Sequence, residues 1–208
     1  GIRDCLLSRG LGDVYKRQDY MLRILCENNK LRKAYVNNGG DIAIYLEDNE
    51  VFNIGIITDL KTRAIGGTTA ITQIDNINGI ATSGRHGRSH SLGIADAVTV
   101  LAKNSAQADA AATLIANAVD LQDTTLVKKI PANELSPDSD LADKLVTVDV
   151  GKLPRKLAEK AVAQGCDRAV DYIDRGLIKA ATISLQGIVE VVGPRRILTQ
   201  NCNAKISS

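Results

Sequence analysis

Residues 34–46 read AYVNNGGDIAIYL, and this stretch decides the fold class. Ala34 and Val36 on one side, and Ile42, Ile44 and Leu46 on the other, recur at every second position around Asn37-Asn38-Gly39-Gly40. A period of two is the signature of a half-buried strand, because successive side chains leave opposite faces of the backbone. Asn and Gly tolerate the positive φ angles that a tight reversal demands, so the stretch predicts an antiparallel hairpin.

Working outward, Leu22–Leu31 reads as the end of a helix, and Val51–Thr58 (VFNIGIIT) as a further strand. The glycine pair in KTRAIGGTTA, 61–70, predicts a loop, and ITQIDNINGIATSG, 71–84, a strand-rich stretch closing in a small-residue turn. RHGRSHSLGI, 85–94, is a polar loop, and AVTVLA, 97–102, a short buried strand. Asn104 stands as the cap of an alanine-rich helix running to about Val119, with Gln107 in capping-box position. PANELSPDSD, 131–140, reads as a linker and LVTVDV, 145–150, as a strand. A helix then opens at Pro154, with Leu157, Ala161, Val162, Cys166, Ala169, Val170 and Ile173 along one face. IKAATISLQ and GIVEVVG form a closing pair of strands. Consecutive hairpins with interspersed helices predict an α+β protein of two layers, a mostly antiparallel sheet with helices on one face.

The 208 residues hold 44% hydrophobic and 24% charged side chains, an ordinary globular balance. With 3% aromatics and no Trp, the chain lacks stacking platforms for single-stranded nucleic acid, and a net charge of +2 gives no basic stripe. No apolar run is long enough to span a bilayer. Residues 1–18, GIRDCLLSRGLGDVYKRQ, resemble translated adapter sequence and are expected to lie outside the fold. Residues 19–208 would then form a single domain lacking its own N-terminal part. Cys5, Cys26, Cys166 and Cys202 share no C-x-x-C spacing, which points to a reducing compartment and a cytoplasmic protein rather than a disulfide framework.

Three clusters could carry chemistry. Gly39-Gly40-Asp41 would let a ligand approach the backbone closely beside a carboxylate, although a plain hairpin turn closed by Asp41 is the simpler reading. ATSGRHGRSHS, 81–91, sets Thr82, Ser83 and Gly84 at a strand end before Arg85, Arg88 and both histidines, His86 and His90. Such a loop can offset phosphate charge, or it can be a solvated basic loop. Its H-x-x-x-H spacing lacks the intervening Glu and the helix that a zinc site needs. Asp109 and Thr113, four apart on a predicted helix, share one face and could offer two oxygens to Mg²⁺; a carboxylate favouring the helix dipole is the plainer alternative.

The motifs VNNGGDIAIYL, ATSG with a His-containing loop, and AVTVLAKNSAQADAAAT occur in the order found in ApbE-like proteins, the FAD:protein FMN transferases, over roughly residues 30–120. The chain most resembles a short, uncharacterised branch of that superfamily. The resemblance implies a T-fold-related α+β domain that handles flavin with Mg²⁺, cleaving FAD at its pyrophosphate and transferring FMN to a Thr or Ser of an acceptor protein. It implies Asp109 and Thr113 as metal ligands, and Gly39, Gly40, Asp41, Thr82, Ser83, Gly84 and Arg85 beside the flavin. His90 and Asp41 are the candidate proton acceptors. The family's H-x-x-D-P-x-T-G loop is absent, since SLGIAD follows His90. The segment that supplies a backbone ligand before the GGD turn is also mostly missing, with residues 1–18 in its place. A non-catalytic flavin- or nucleotide-binding module of the same fold is therefore the alternative, and a purely assembling subunit the third reading.

Overall fold

The computed structural model describes residues 11–59, 64–87, 89–122 and 125–194. The NNGG hairpin forms as its pattern demands. Strands β1 (Lys33–Asn38) and β2 (Asp41–Leu46) pair antiparallel from Lys33↔Leu46 to Asn38↔Asp41, with Gly39 and Gly40 at φ +68° and +111° in the turn. They form one edge of a six-stranded sheet that also contains β5 (Gly79–Ser83), β6 (Ala97–Ala102), β9 (Ala180–Leu185) and β10 (Ile188–Val192). The spatial order is β1-β2-β5-β6-β9-β10, and each of the five pairings is antiparallel. The protein is thus α+β, with a mostly antiparallel sheet.

The central strands are buried on both faces, so they lose the alternation that marks a half-exposed strand. All six residues of β6 and all six of β9 are buried. Val98, Val100, Ala181, Ile183 and Leu185 enter the larger core beneath the helices. Leu101 and Ala180 point the other way, into a second core with Ile44, Ile71, Ile77 and Ile80.

The helical layer has three main members: α1 (Leu11–Asn28), α2 (Ser105–Ala118) and, past the single turn α3 (Ala132–Leu135), α4 (Arg155–Asp174). Helix α2 lies across β5 and β6, α4 across β9 and β10, and α1 against β1, β2 and α2. Ala108, Ala111 and Ala112 have no exposed surface, which lets α2 sit close to the sheet. Asn104 caps α2 by accepting from the Gln107 amide (2.8 Å), but Gln107 Oε1 has no hydrogen-bond partner, so the reciprocal half of the expected box is not made. Helix α4 packs through Ala158, Ala161, Val162, Gly165, Ala169 and Tyr172, whereas Val170, expected inside, is exposed.

Besides the unexpected strand at Val127–Pro131 and the α3 turn inside the stretch expected as a linker, two elements depart further from the sequence reading. Ala64–Thr72, expected as loop as far as residue 70, is strand β4, paired with β3 (Val51–Asp59) in a separate ribbon with irregular register near Ile57. Its glycine pair lies within the strand rather than at a reversal, and the β-branched run Thr68-Thr69 restores strand preference beyond it. The ribbon packs on β6 and β9 and shelters the second core, so the two expected layers gain a partial third. Helix α1 extends back to Leu11, into the segment expected outside the fold. Gln18 is buried and donates Nε2 to the Asp41 carbonyl (3.0 Å), while Asp19 accepts from the Ser105 amide (3.2 Å). Residues 1–10 and 61–63, and the cysteines Cys5 and Cys202, lie outside the described residues. A second ribbon, β7 (Val127–Pro131) with β8 (Leu145–Val150), flanks the loop after β5.

Candidate functional site

The register brings the expected residues to one end of the sheet. Ile42↔Ile80 and Ala43↔Gly79 set β2 antiparallel to β5, so Asp41 and the glycine turn lie beyond Ile42, alongside the C-terminal half of β5. Ser83↔Val98 and Ala97↔Ser184 bring the start of β6 and the end of β9 to that same end. Gly39-Gly40-Asp41, Thr82-Ser83-Gly84-Arg85, Asp96 and the Gln186-Gly187 turn therefore share one rim.

Helix α2 reaches that rim from the far end. A Cβ on Gly79 would fall 2.0 Å from the Asn104 carbonyl, so α2 starts directly over the beginning of β5. A Cβ on Gly93 would meet the Ala116 carbonyl at 2.1 Å, and the Ile94 amide donates to the Val119 carbonyl (2.8 Å), so α2 ends against the loop that leads into β6. At about 1.5 Å per helical residue, Asp109 and Thr113 stand roughly 6 and 12 Å along α2 from Ser105. At about 3.3 Å per strand residue, those levels correspond to Ala81 and Ser83. Asp109 is 8% exposed and Thr113 half-buried. Ile115 reaches toward Gly165 of α4, and Asp109 lies about 120° round the helix from it, on the flank turned away from α4. Helix α1 and strand β2, with the GGD turn, lie beyond α2 on that side.

The glycine turn is a backbone feature first: both residues have positive φ, and the Gly40 amide donates to Asn37 Oδ1 (3.0 Å). A Cβ on Gly40 would touch nothing within 4 Å, so the turn's outer side is open. Gly84 answers a different demand. With φ +156°, a Cβ there would sit 2.5 Å from the Asp96 carbonyl, so the strand end and the entry to β6 pass at backbone contact. Thr82 and Thr99 join their hydroxyls across β5 and β6 at 2.9 Å.

Arg85 does not point freely outward as a phosphate-binding residue would. Its Nε and Nη2 lie 2.8 and 2.7 Å from Asp96 Oδ1, with the two side chains 17% and 10% exposed. Asp96 Oδ2 accepts the Gln186 amide, and His86 Nε2 stands 3.8 Å from Oδ1. Gln186 extends the tie, since its Oε1 accepts from the Leu153 amide (3.0 Å) and its Nε2 donates to the Gly151 carbonyl (2.8 Å). The loop's other limb is fixed by Lys129 of β7, whose ammonium donates to the Leu92 carbonyl (2.7 Å) and to Asp120 (2.6 Å). Between these anchors His90 is exposed, and Arg88 lies outside the described residues. The lock made by Asp96, Gln186 and Lys129 carries no motif; the only sequence signal was the isolated Asp96 before an apolar strand.

Among the described residues no three His, Cys, Asp or Glu side chains gather as a metal-binding group. Asp109 and Thr113 offer two hard oxygen donors, a set that suits Mg²⁺ completed by carbonyl, water or phosphate oxygens. Likewise, no helix among the described residues is long and apolar enough to cross a membrane.

Fold and rim define an α+β protein whose glycine turns, Asp41 and the Arg85–Asp96 pair lie at one end of the sheet. Residues 18–191 match the family model described as AbpE bacteria, and the chain belongs to that family. It is similar to a UPF0280 protein of Methanocaldococcus jannaschii, 40% identical over 96 residues that make up 46% of this chain and 39% of the relative. A UPF0280 protein of Methanoculleus marisnigri is 40% identical over 97 residues, 46% and 39% of the two chains. A third, from Methanococcus aeolicus, is 34% identical over 146 residues, 65% and 58%. The chain thus covers about two fifths of the first two relatives' length.

Proposed function

We propose that this protein handles flavin with Mg²⁺ at the rim shared by the GGD turn and the end of β5, in the manner of the FAD:protein FMN transferases that its motifs resemble. What supports the reading is the rise of α2 from its start over Gly79, which at about 1.5 Å per residue brings Asp109 and Thr113 to the levels of Ala81 and Ser83, with Asp41 beside Ala81 in the β2–β5 register. Asp109 and Thr113 would hold Mg²⁺, which when bound offsets the charge of pyrophosphate oxygens. The open outer side of Gly40 admits a flat ring or a phosphate against the backbone. In the transfer itself, the acceptor hydroxyl oxygen bonds to the FMN phosphorus, the bridging P–O bond to AMP breaks, and the hydroxyl proton passes to Asp41 or His90.

One observation favours a second reading, a flavin- or nucleotide-binding module without turnover. Arg85 and Asp96 are committed to each other, and His90 stands exposed on the loop between the two anchors. Incubation with FAD and MgCl₂, followed by chromatography for AMP and FMN, separates the two. Products support transfer chemistry; a rise in melting temperature with FAD but no products selects the module. No response to flavin with or without Mg²⁺ defeats both. Asp109→Asn is expected to abolish most of the Mg²⁺-dependent part of FAD stabilisation while leaving the ligand-free melt near wild type. An unchanged Mg²⁺ response would remove Asp109 from the site.

A further inference from the structure

Among the described side chains of α1, those of residues 18–28, more apolar surface faces outward than inward. Its buried contacts are Gln18 and Leu22, with Asp19 and Cys26 half-buried. Tyr20, Met21, Ile24 and Leu25 are 54%, 53%, 38% and 42% exposed. At 100° per residue these four fall on one continuous stripe of the helix, beside its inner face rather than scattered round it. Contiguous exposed apolar surface, rimmed by polar residues, is the kind of surface that marks a protein interaction site when it exceeds a few hundred Å².

We propose that this stripe, with the adjoining edge strand β1, is the contact between two copies of the chain. Three features select a second copy over an unrelated partner. Arg23 and Glu27 border the stripe, 3.7 Å apart, with Arg23 also over the Tyr20 ring (5.1 Å). A rim holding both signs one turn apart is complementary to itself when two helices meet antiparallel about a two-fold axis. Strand β1 is an edge of the six-stranded sheet and lies under α1, so the same axis can continue the sheet from copy to copy. Paired with itself antiparallel about Tyr35 and Val36, the strand KAYVNN sets its one charge, Lys33, opposite Asn38 rather than another Lys. Lys33 is moreover answered within its own chain by Glu50 at 3.6 Å. Tyr35, 61% exposed, would be covered on the sheet's other face, where it already meets Phe52 edge-on. The GGD turn joins β1 to β2, so each candidate site would lie next to the shared seam.

Light scattering coupled to size exclusion, repeated by sedimentation velocity over a range of loading concentrations, tests this. The expected mass is twice 22.2 kDa. Tyr20→Lys/Met21→Lys, at the two most exposed stripe positions, is expected to give a monomer whose circular dichroism matches wild type. Ile24→Lys alone is expected to weaken self-association at least tenfold, which keeps the test valid should the double variant misfold. A wild-type chain that stays monomeric up to about 100 times the concentration at which the apolar stripe should pair, in the micromolar range, overturns the proposal. So does a dimer that survives both variants, or a larger assembly in which they change nothing.

Discussion

Replacing Asp96 by Asn tests the anchoring of the site loop most directly. The carboxylate holds three separate parts of the chain: Arg85 after β5, the Gln186 amide after β9, and its own strand β6, with the pair 17% and 10% exposed. Removing one member of a buried pair costs about 3–5 kcal/mol, because the remaining charge is left without an answer in a poorly hydrated setting. Asn matches Asp in shape and keeps one carbonyl oxygen, so one of the bonds survives; its amide nitrogen then opposes either Arg85 or the Gln186 amide. That argues for the lower end, about 3 kcal/mol. For a domain of this size each kcal/mol moves the melting temperature by roughly 2–4 °C, giving a fall of roughly 6–12 °C. Calorimetry and urea unfolding of wild type, Asp96→Asn, Arg85→Met and the double variant complete the cycle. The double variant should lose less than the sum of the singles, since removing both partners strands neither charge. A single variant melting within about 2 °C of wild type would refute the argument, as would strict additivity.

Other consequences follow from packing and ionisation. Gly79→Ala should destabilise the fold severely, since the new methyl would overlap the Asn104 carbonyl carbon and oxygen at 2.0 Å and would lift the start of α2 from the sheet. Soluble yield and thermal melts check this, and a near-wild-type melt would show that α2 does not start where the contact places it. Burial first, then the charges of Glu190 and Asp167, push the Cys166 thiol up to about 11. Its thiolate at pH 8 is then about one part in a thousand, so alkylation should run roughly a hundredfold slower than for an ordinary thiol and climb about tenfold per pH unit up to that value. Peptide-level mass spectrometry after iodoacetamide reads this out, and fast labelling at pH 8 would show the thiol to be open to solvent.

Residues with local causes were legible in the sequence. The NNGG hairpin needs only its own glycines and alternation, and Asn104 caps α2 from three residues away. Helix α4 declared itself by period, although Val170 sits just outside the buried arc. Glycines at 66–67 read as a break because a glycine pair at a turn and one inside a strand look alike without the partner strand. The level of Asp109 along the sheet depends on where α2 docks, which is set by contacts from other segments at Gly79, Gly93 and the Ile94–Val119 bond. Arg85 was legible as a cation but not as an occupied one, because Asp96, itself held by the Gln186 amide, reaches it from eleven residues on. Gln18 and Asp19 tie α1 to the Asp41 carbonyl and the Ser105 amide, contacts with distant segments that no local pattern announces.

The tie between Asp96 and Gln186 spans 90 positions of chain. Contacts of such separation require most of the intervening polypeptide to be arranged before they can close, so they form after the hairpins and helices on the folding route. A bond absent from the transition state governs how quickly the native state is lost rather than how quickly it is reached. Stopped-flow kinetics of Asp96→Asn should therefore show faster unfolding with the refolding limb almost unmoved. The adjoining β6–β9 pairing, with Ala97 opposite Ser184, closes a loop of nearly the same length, so the rim around Arg85 and the centre of the sheet would set together on refolding.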